Sequence, residues 1–286
     1  MKITDQLTPE ALKQIVWEKY GLIADQCKAK NESSCCGATD ACADGHGLMR
    51  EDYAQLDGYV PEADLGLGCG LPTEYARMKV GDTVLDLGSG AGNDCFVARS
   101  VVGESGRVIG VDFTERMLEK ARDNARQRGF TNVEFRQGEI EDLPLADNCV
   151  DVVVSNCVLN LVPNKEQAFR ETYRVLRSGG HFSISDVVLE GELPEGLRKD
   201  AEMYAGCVAG AIQQQAYLGI IQQVGFVNVQ VQKKRLIHLP EEILAQYLSA
   251  EERVAFRTGG TGIYSVTVYA EKPGPDVCCT LGSGCC

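Results

Sequence analysis

The segment that most constrains the fold runs from Thr83 to Asp94 and reads TVLDLGSGAGND. A short apolar run that ends in an aspartate predicts a strand, and the polar residues after the glycines predict the start of a helix. Gly88, Gly90 and Gly92 would let the backbone turn sharply and approach a ligand closely, because glycine has no Cβ. The segment therefore predicts the first strand, turn and helix of an open α/β sheet, which binds its ligand beyond the carboxyl ends of its strands.

Strands and helices are predicted to alternate along the chain from about residue 80. The predicted strands are Val84–Leu87, Arg107–Val111, Val133–Arg136, Val150–Ser155, His181–Ser185, Val227–Lys233 and Ile263–Ala270. The predicted helices are 8–24, Thr114–Arg128, Lys165–Leu176, an inserted piece at Pro194–Ala211, and Tyr217–Val224. Repeated β-α-β order of this kind indicates a Rossmann-like, doubly wound parallel sheet, here closed by two terminal strands.

The predicted organisation has three parts. Residues 1–70 form an N-terminal helix and a polar, cysteine-containing loop or lid, and residues 71–272 form the α/β domain, with an insertion near 187–212. Residues 273–286 form a flexible, cysteine-rich tail, because proline and glycine end the fold there. A loop as long as the one before residue 70 is typical of a functional segment.

The charge of the chain excludes some partners. A net charge of -13 without a long Lys/Arg block argues against nucleic acid or an anionic membrane. The N-terminus lacks the apolar core of a signal peptide, and no segment is long enough to span a bilayer, so a cytoplasmic protein is expected.

The cysteines are the unusual feature of the composition. The chain has 13 of them, an odd number, and a reducing cytosol would keep most as thiols. Three adjacent pairs occur, namely Cys35-Cys36, Cys278-Cys279 and Cys285-Cys286. Such clustering indicates binding of a soft metal or metalloid, or redox chemistry.

The aspartates around the glycine turn bear on its ligand. Asp112 follows Gly90 by 22 positions, where an acidic residue reaches ribose hydroxyls in nucleotide-binding folds. Asp86 and Asp94 flank the turn, and their carboxylates would repel a pyrophosphate but suit a cationic amino-acid ligand.

The turn resembles the first motif of the class I S-adenosylmethionine-dependent methyltransferases, and the strand order agrees over roughly residues 71–272. The resemblance implies S-adenosylmethionine as methyl donor, with Asp112 on its ribose, Ile140 and Glu141 near its adenine, and Gly88 to Gly90 along its methionine part. The full set of expected donor-binding residues is Asp86, Gly88, Ser89, Gly90, Gly92, Asp112, Met117, Ile140, Glu141 and Asn156.

Several cysteines lie where a ligand could approach. Cys157 follows the fourth predicted strand directly, in SNCVLNLVPNK, and therefore belongs at the carboxyl edge of the sheet. Cys207 lies in YAGCVAG, Cys69 in LGLGCG, and Cys35 and Cys36 in SCCG. Each cysteine taken alone could be a small buried core residue.

These segments resemble the signatures of the bacterial arsenite S-adenosylmethionine methyltransferases. The resemblance implies that Cys157 and Cys207 hold trivalent arsenic, and that Cys69 and an N-terminal cysteine are further ligands and disulfide partners. The N-terminal cysteine is Cys35, Cys36 or Cys42, with the Cys35-Cys36 pair favoured. The expected partners are arsenite or its glutathione conjugate, and thioredoxin or another dithiol reductant.

The histidines support an acceptor that needs no base. The chain has only His46, His181 and His238, and neither of the last two is an evident active-site base. Trivalent arsenic carries a lone pair and needs no deprotonation, and as a soft acceptor it prefers thiolates. Proximity and orientation would then supply most of the catalysis.

Other interpretations stay open at this point. Cys35, Cys36, Cys42 and His46 could form a structural zinc site, but the spacing lacks the usual C-x-x-C element, so no structural metal is expected. The four tail cysteines, Cys278, Cys279, Cys285 and Cys286, are candidates for capturing a metalloid and passing it inward, and the alternatives are a thiol reservoir or a dispensable end. The alternative functions are methylation of a small organic acceptor such as a quinone, and sequestration or sensing of a metalloid.

Overall fold

The structure is a computed structural model that describes residues 8–26, 28, 31, 51–198 and 210–274. In this part of the chain, eight strands form one sheet. Their bounds are β1 Thr83–Leu87, β2 Arg107–Asp112, β3 Val133–Gln137, β4 Val150–Asn156, β5 Leu176–Glu190, β6 Ile212–Gln213, β7 Val227–Ile237 and β8 Gly262–Glu271.

The strand order is β3-β2-β1-β4-β5-β8-β7, and β6 pairs with β5 outside this path. The neighbouring pairs from β3 to β5 are parallel, whereas β8 is antiparallel to both β5 and β7. The predicted doubly wound α/β fold with two closing strands is therefore confirmed.

The helices connect the strands and cover the sheet. Their bounds are α1 Pro9–Ala24, α2 Pro72–Tyr75, α3 Asn93–Val102, α4 Glu115–Gln127, α5 Lys165–Val175, α6 Glu195–Arg198, α7 Gln214–Val224, α8 Glu241–Tyr247 and α9 Ala250–Thr258, with a 3-10 turn at Leu159–Leu161. The predicted first helix is confirmed, because Thr8 caps it through a bond from the Ala11 N–H at 3.3 Å and Pro9 opens it.

Two differences from the predicted elements concern length. Strand β5 covers 15 residues rather than His181–Ser185, because Asp186 is buried within it and the strand continues along β8 as far as Glu190. Strand β7 extends to Ile237 for the same reason, pairing with β8. A sequence pattern cannot reveal a buried aspartate in a strand, since aspartate is usually a strand-ending residue.

Two short helices, α8 and α9, were not predicted. A capping box opens α9, in which the Ser249 hydroxyl accepts the Glu252 N–H and the Glu252 carboxylate accepts the Ser249 N–H. This S-x-x-E signal was present in the sequence.

The predicted helical insertion is described only in part. Glu195–Arg198 is helical, and Ala211 precedes strand β6 instead of ending a helix. Residues 199–209, which include Cys207, lie outside the described residues.

The core lies on both faces of the sheet. Leu85 and Leu87 of β1 pack into one apolar cluster, and the alternate residue Val84 packs into the other. A strand that is apolar on both faces is typical of the centre of a parallel sheet. Among the described residues, no helix combines the length and apolar character needed to cross a membrane.

The N-terminal part packs against this domain. Val16, Ile23 and Ala24 of α1 are buried, as are several residues between 51 and 70 (Tyr53, Val60, Ala63, Leu65 and Cys69). The end of the predicted loop therefore belongs to the packed structure. Residues 32–50 of the predicted lid, with Cys35, Cys36 and Cys42, lie outside the described residues.

Candidate active site

A cavity of about 570 Å³ opens at the carboxyl ends of β1, β2, β3 and β4, where the fold predicts the ligand. Helix α1 lines its other side through Val16, Tyr20 and Ile23. The structure brings eight of the ten expected donor-binding residues and one expected cysteine to this cavity, namely Gly88, Ser89, Gly90, Asp112, Met117, Ile140, Glu141, Asn156 and Cys157.

The glycine turn has the backbone that its sequence predicts. Gly88, Gly90 and Gly92 have φ values of 68°, 51° and 95°, a region that residues with a side chain rarely adopt. A Cβ on Gly88 would lie 2.5 Å from the Val158 side chain, whereas at Gly90 the space is open. The turn therefore presents bare backbone to the cavity.

Asp112 is held at the turn by the backbone. Its carboxylate accepts the N–H of Gly90 at 3.0 Å and the N–H of Thr114 at 2.8 Å. Burial raises the pKa of the carboxyl, and these hydrogen bonds oppose the rise. The carboxylate thus lies in a fixed position at the end of β2, lining the cavity.

Asp86 and Asp94 add two more buried carboxyl groups beside the turn. Asp86 is 2% exposed and accepts the thiol of Cys95 at 3.2 Å, so it lies beneath the turn. Burial, then the nearby Asp94, raise the pKa of Asp86 well above its usual range. Burial also raises the pKa of Asp94 to about 6, and Asp94 lines the cavity directly.

Three buried carboxyl groups at one turn favour a cationic ligand, because a positive charge stabilises their ionised forms. The cavity is large enough for a nucleoside carrying an amino acid, and its open space at Gly90 admits a ligand close to the backbone. The residues present therefore fit S-adenosylmethionine, whose amino-acid part carries a sulfonium and an ammonium.

Asn156, the last residue of β4, joins this cavity to the segment that carries Cys69. Its side-chain oxygen accepts the N–H groups of Cys69 at 2.9 Å and Gly70 at 3.3 Å. Its amide nitrogen donates to the Gly70 carbonyl at 2.8 Å and to the Tyr53 hydroxyl at 2.5 Å, and that hydroxyl donates to Asp94 at 2.9 Å. One side chain therefore sets the position of Cys69 relative to the turn.

Cys157 follows Asn156 in a strained backbone conformation. Its φ is 62°, in the left-handed region that non-glycine residues rarely occupy, and its N–H donates to the Ser185 carbonyl at 2.7 Å. Such conformations cluster at functional sites, where the surrounding structure holds them in place. The side chain is 6% exposed and lines the cavity.

The thiols of Cys157 and Cys69 share one apolar cluster with Val16, Leu161 and Val187. Cys69 is fully buried and its carbonyl accepts the Ser265 hydroxyl at 2.5 Å. Asp86, Gly92 and Cys69 are absent from the described residues that line the cavity. The expected cysteines Cys35, Cys36, Cys207, Cys278, Cys279, Cys285 and Cys286 lie outside the described residues.

Two further cysteines and a histidine lie away from the cavity. Cys95 is fully buried in one apolar cluster, and Cys149 packs against the other. His181 pairs with Val152, four residues before the end of β4, and its Nε2 lies 2.6 Å from the Ala76 carbonyl oxygen. It therefore lies away from the edge of the sheet where the cavity opens.

Sequence reasoning did not find Tyr53 or the contribution of α1. The helical spacing of Leu12, Ile15, Val16 and Tyr20 predicts an amphipathic helix but not what that helix covers. Tyr53 lies in a segment without periodicity, so no local signal marked it.

The comparisons with known proteins agree with this geometry. Residues 78–244 match the family model described as a methyltransferase domain. The chain is 41% identical over 281 residues to an arsenite methyltransferase of Halobacterium salinarum, covering 94% of this chain and 68% of the relative. It is 35% identical over 244 residues to an arsenite methyltransferase of Aquipseudomonas alcaligenes, covering 83% of this chain and 68% of the relative.

A solved structure is similar to this chain in both fold and sequence. The crystal structure of CrArsM, an arsenic(III) S-adenosylmethionine methyltransferase from Chlamydomonas reinhardtii, has a TM-score of 0.60 and 36% identity, covering 73% of this chain and 69% of that one. The chain therefore belongs to the arsenite methyltransferase family of S-adenosylmethionine-dependent enzymes.

Proposed function

We propose that the protein transfers methyl groups from S-adenosylmethionine to trivalent arsenic held by cysteine thiolates, giving methylated arsenicals. The observation that carries this proposal is Cys157, a thiol with a strained backbone that lines the same cavity as the glycine turn. An organic acceptor such as a quinone would not require this thiol or the neighbouring Cys69.

Different residues of the cavity wall would bind different parts of the methyl donor. Asp112 would bind the ribose, Ile140 and Glu141 would contact the adenine, and Gly88, Ser89 and Gly90 would hold the methionine part, with Met117 and Asn156 in the same cavity wall. When bound, the donor supplies a methyl carbon that a lone pair can attack. The carboxyl groups of Asp86 and Asp94 stabilise the positive charge of this ligand.

The thiols hold the acceptor. Cys157, with Cys207 and Cys69, binds As(III) as thiolates, and the apolar side chains around Cys157 and Cys69 exclude water. Because the arsenic lone pair needs no deprotonation, the contribution of the protein is to fix the distance and direction of attack.

Methylation oxidises arsenic by two electrons, and two protein thiols return them by forming a disulfide. The N-terminal Cys35-Cys36 pair and Cys69 are the proposed partners, and thioredoxin or another dithiol reductant restores the thiols. Arsenite or its glutathione conjugate is the proposed substrate, and reducing surroundings such as the cytoplasm keep the thiols available. No structural metal is part of this proposal, and the tail cysteines Cys278, Cys279, Cys285 and Cys286 are proposed to capture arsenite.

The test is an assay with S-adenosylmethionine, arsenite and a thiol reductant that follows methylated arsenicals. Cys157→Ser and Cys207→Ser should each abolish methylation and leave donor binding intact, because serine does not bind As(III) as a soft ligand. Cys149→Ser is the matched control, since this half-buried cysteine packs against the core away from the cavity, and it should methylate at the wild-type rate.

Full activity in Cys157→Ser would refute the thiolate site. Arsenite binding without any methylated product in the wild-type protein would refute the methyl transfer and favour sequestration.

A further inference from the structure

Lys19 of helix α1 is a lysine in the cavity wall to which the proposed mechanism gives no role. Its Nζ is buried, and within the part of the chain that the structure describes this nitrogen has no hydrogen-bond partner. A buried ammonium group without an acceptor has lost its hydration and gained nothing in exchange, which is costly. Its charge is therefore available to a ligand that enters the cavity.

The helical spacing places Lys19 on the face of α1 that lines the cavity. It follows Val16 by three residues and precedes Ile23 by four, and residues at these spacings share one face of a helix. All three residues line the cavity. Trp17, two residues before Lys19 and thus on the opposite face, is 47% exposed.

The neighbours of this face show which part of the cavity Lys19 reaches. Val16 shares an apolar cluster with Cys157, whereas Ile23 shares another with Ala91 of the glycine turn. Lys19 lies between these two positions on the helix, and therefore between the thiol and the turn. In the proposed function the methionine part of the donor occupies this interval, because its methyl group must reach an acceptor at the thiol.

The negative charge around the glycine turn suits only part of that ligand. The methionine part carries a sulfonium, an ammonium and one carboxylate. Asp94 and Asp112 line the cavity and Asp86 lies beneath the turn, so the two cationic groups meet opposite charge. The same carboxylates repel the carboxylate of the ligand, which therefore needs a cation of its own.

Two lysines, Lys13 and Lys19, supply the positive side chains among the described residues of the cavity wall. Lys13 is already ion-paired, since its Nζ lies 2.5 Å from a carboxylate oxygen of both Glu139 and Glu141. Lys19 is the cation that remains for a ligand.

Two polar atoms at the glycine turn point to the same kind of ligand. Ser89 Oγ and Asn93 Oδ1 are buried in the cavity wall, and neither has a hydrogen-bond partner among the described residues. A serine hydroxyl can donate to a carboxylate, and an amide oxygen can accept from an ammonium. These atoms therefore suit the polar end of an amino acid.

We propose that Lys19 binds the carboxylate of the amino-acid part of the methyl donor, an inference that deepens the proposed function. The charged hydrogen bond fixes the amino-acid end of the donor and thereby directs the sulfonium methyl towards Cys157. Lys19 is thus a donor-binding residue that α1 contributes from outside the α/β sheet. It makes the site selective for ligands that carry the carboxylate.

The experiment measures, by calorimetry on the full-length protein, the dissociation constants of two thioethers. One is S-adenosylhomocysteine, which has the carboxylate, and the other is its decarboxylated analogue, in which a hydrogen replaces that group. The wild-type protein should bind the first roughly 10- to 100-fold more tightly, the range for a hydrogen bond to a charged group. Lys19→Met keeps an apolar stem and removes the charge, so it should weaken the first ligand alone and abolish the preference. Lys19→Arg should retain most of the preference.

Lys13→Met is the matched control. It removes the other lysine of α1 in the cavity wall, whose ion pairs hold the helix and not the ligand carboxylate. This variant should change both dissociation constants by the same factor and keep their wild-type ratio. Thermal unfolding checks that each variant is folded.

A wild-type ratio of the two constants in Lys19→Met would overturn the proposal, as would equal affinities of the wild-type protein for the two ligands. Equal weakening of both ligands in Lys19→Met would also overturn it, because that is the effect of a helix that no longer packs on the cavity. If Lys19→Met loses the preference but the wild-type protein makes no methylated arsenical, the proposed function fails and the role of Lys19 stands.

Discussion

Replacing Asn156 with alanine would remove the side chain that ties the Cys69 segment to the carboxyl edge of β4. Five hydrogen bonds would be lost, to the N–H groups of Cys69 and Gly70, to the Gly70 carbonyl, to the Tyr53 hydroxyl and, at 3.5 Å, to the Asp94 carboxylate. Part of the loss can be recovered, since the Tyr53 hydroxyl lies 3.3 Å from the Gly70 carbonyl and also bonds to Asp94.

The expected loss in the free energy of unfolding is about 3 kcal/mol. Each buried group left without a partner costs roughly 1–3 kcal/mol, and Cys69 is fully buried. In a chain of this size the loss corresponds to a decrease in melting temperature of roughly 5 °C. The methylation rate should fall more steeply than stability, because Cys69 would no longer be held beside Cys157.

Thermal unfolding and the methylation assay, run below the melting temperature of the variant, test this reasoning. Asn164→Ala is the matched control, since its side chain makes one local bond, to the Gln167 N–H that it caps, and lies away from the thiols. It should cost about 1 kcal/mol and leave methylation unchanged. If Asn156→Ala methylates arsenite at the wild-type rate, Asn156 does not position Cys69 and the reasoning is wrong.

Two further predictions concern the donor site. Gly88→Ala should weaken donor binding at least 10-fold in a titration, because its Cβ would lie 2.5 Å from the Val158 side chain. Gly129→Ala is the control, since Gly129 has the same φ of 68° but open space around it, and this variant should bind the donor normally. Equal affinities of the two variants would show that the clash is irrelevant. Burial raises the pKa of Asp94 from 3.8 to about 6, so the folded protein binds more protons than the unfolded chain between these values. The free energy of unfolding should therefore decrease as pH rises from about 4 to 6, by at most about 3 kcal/mol from this group. Asp94→Asn should flatten that pH dependence. An unchanged slope in the variant would show that Asp94 is not the group with the raised pKa.

The glycine turn and the cavity wall around it were predictable because their signals are local. Glycines at alternate positions impose a turn, and the apolar run before them imposes a buried strand, so the cavity wall at Gly88 and Gly90 follows from a dozen consecutive residues. The position of Asp112 at the end of β2 and of Cys157 after β4 follows from the rule that parallel strands end at a common edge.

The remaining site residues depend on contacts between distant parts of the chain. Asn156 bonds to Cys69 across 87 positions, and Tyr53 reaches Asp94 across 41. Neither tertiary contact leaves a periodic pattern, since a side-chain hydrogen bond places no constraint on the residues beside it in sequence. The length of β5 and the burial of Asp186 likewise result from pairing with β8.

The sequence by itself determined the sheet, the glycine turn at its carboxyl edge, and the large number of cysteines. The tertiary structure decided that helix α1 lines the cavity, that Asn156 binds the Cys69 segment, and that Cys69 and Cys157 share one apolar cluster. The physical reason is that turns and strands follow from the conformational preferences of adjacent residues, whereas the meeting of side chains follows from packing that only the complete fold provides.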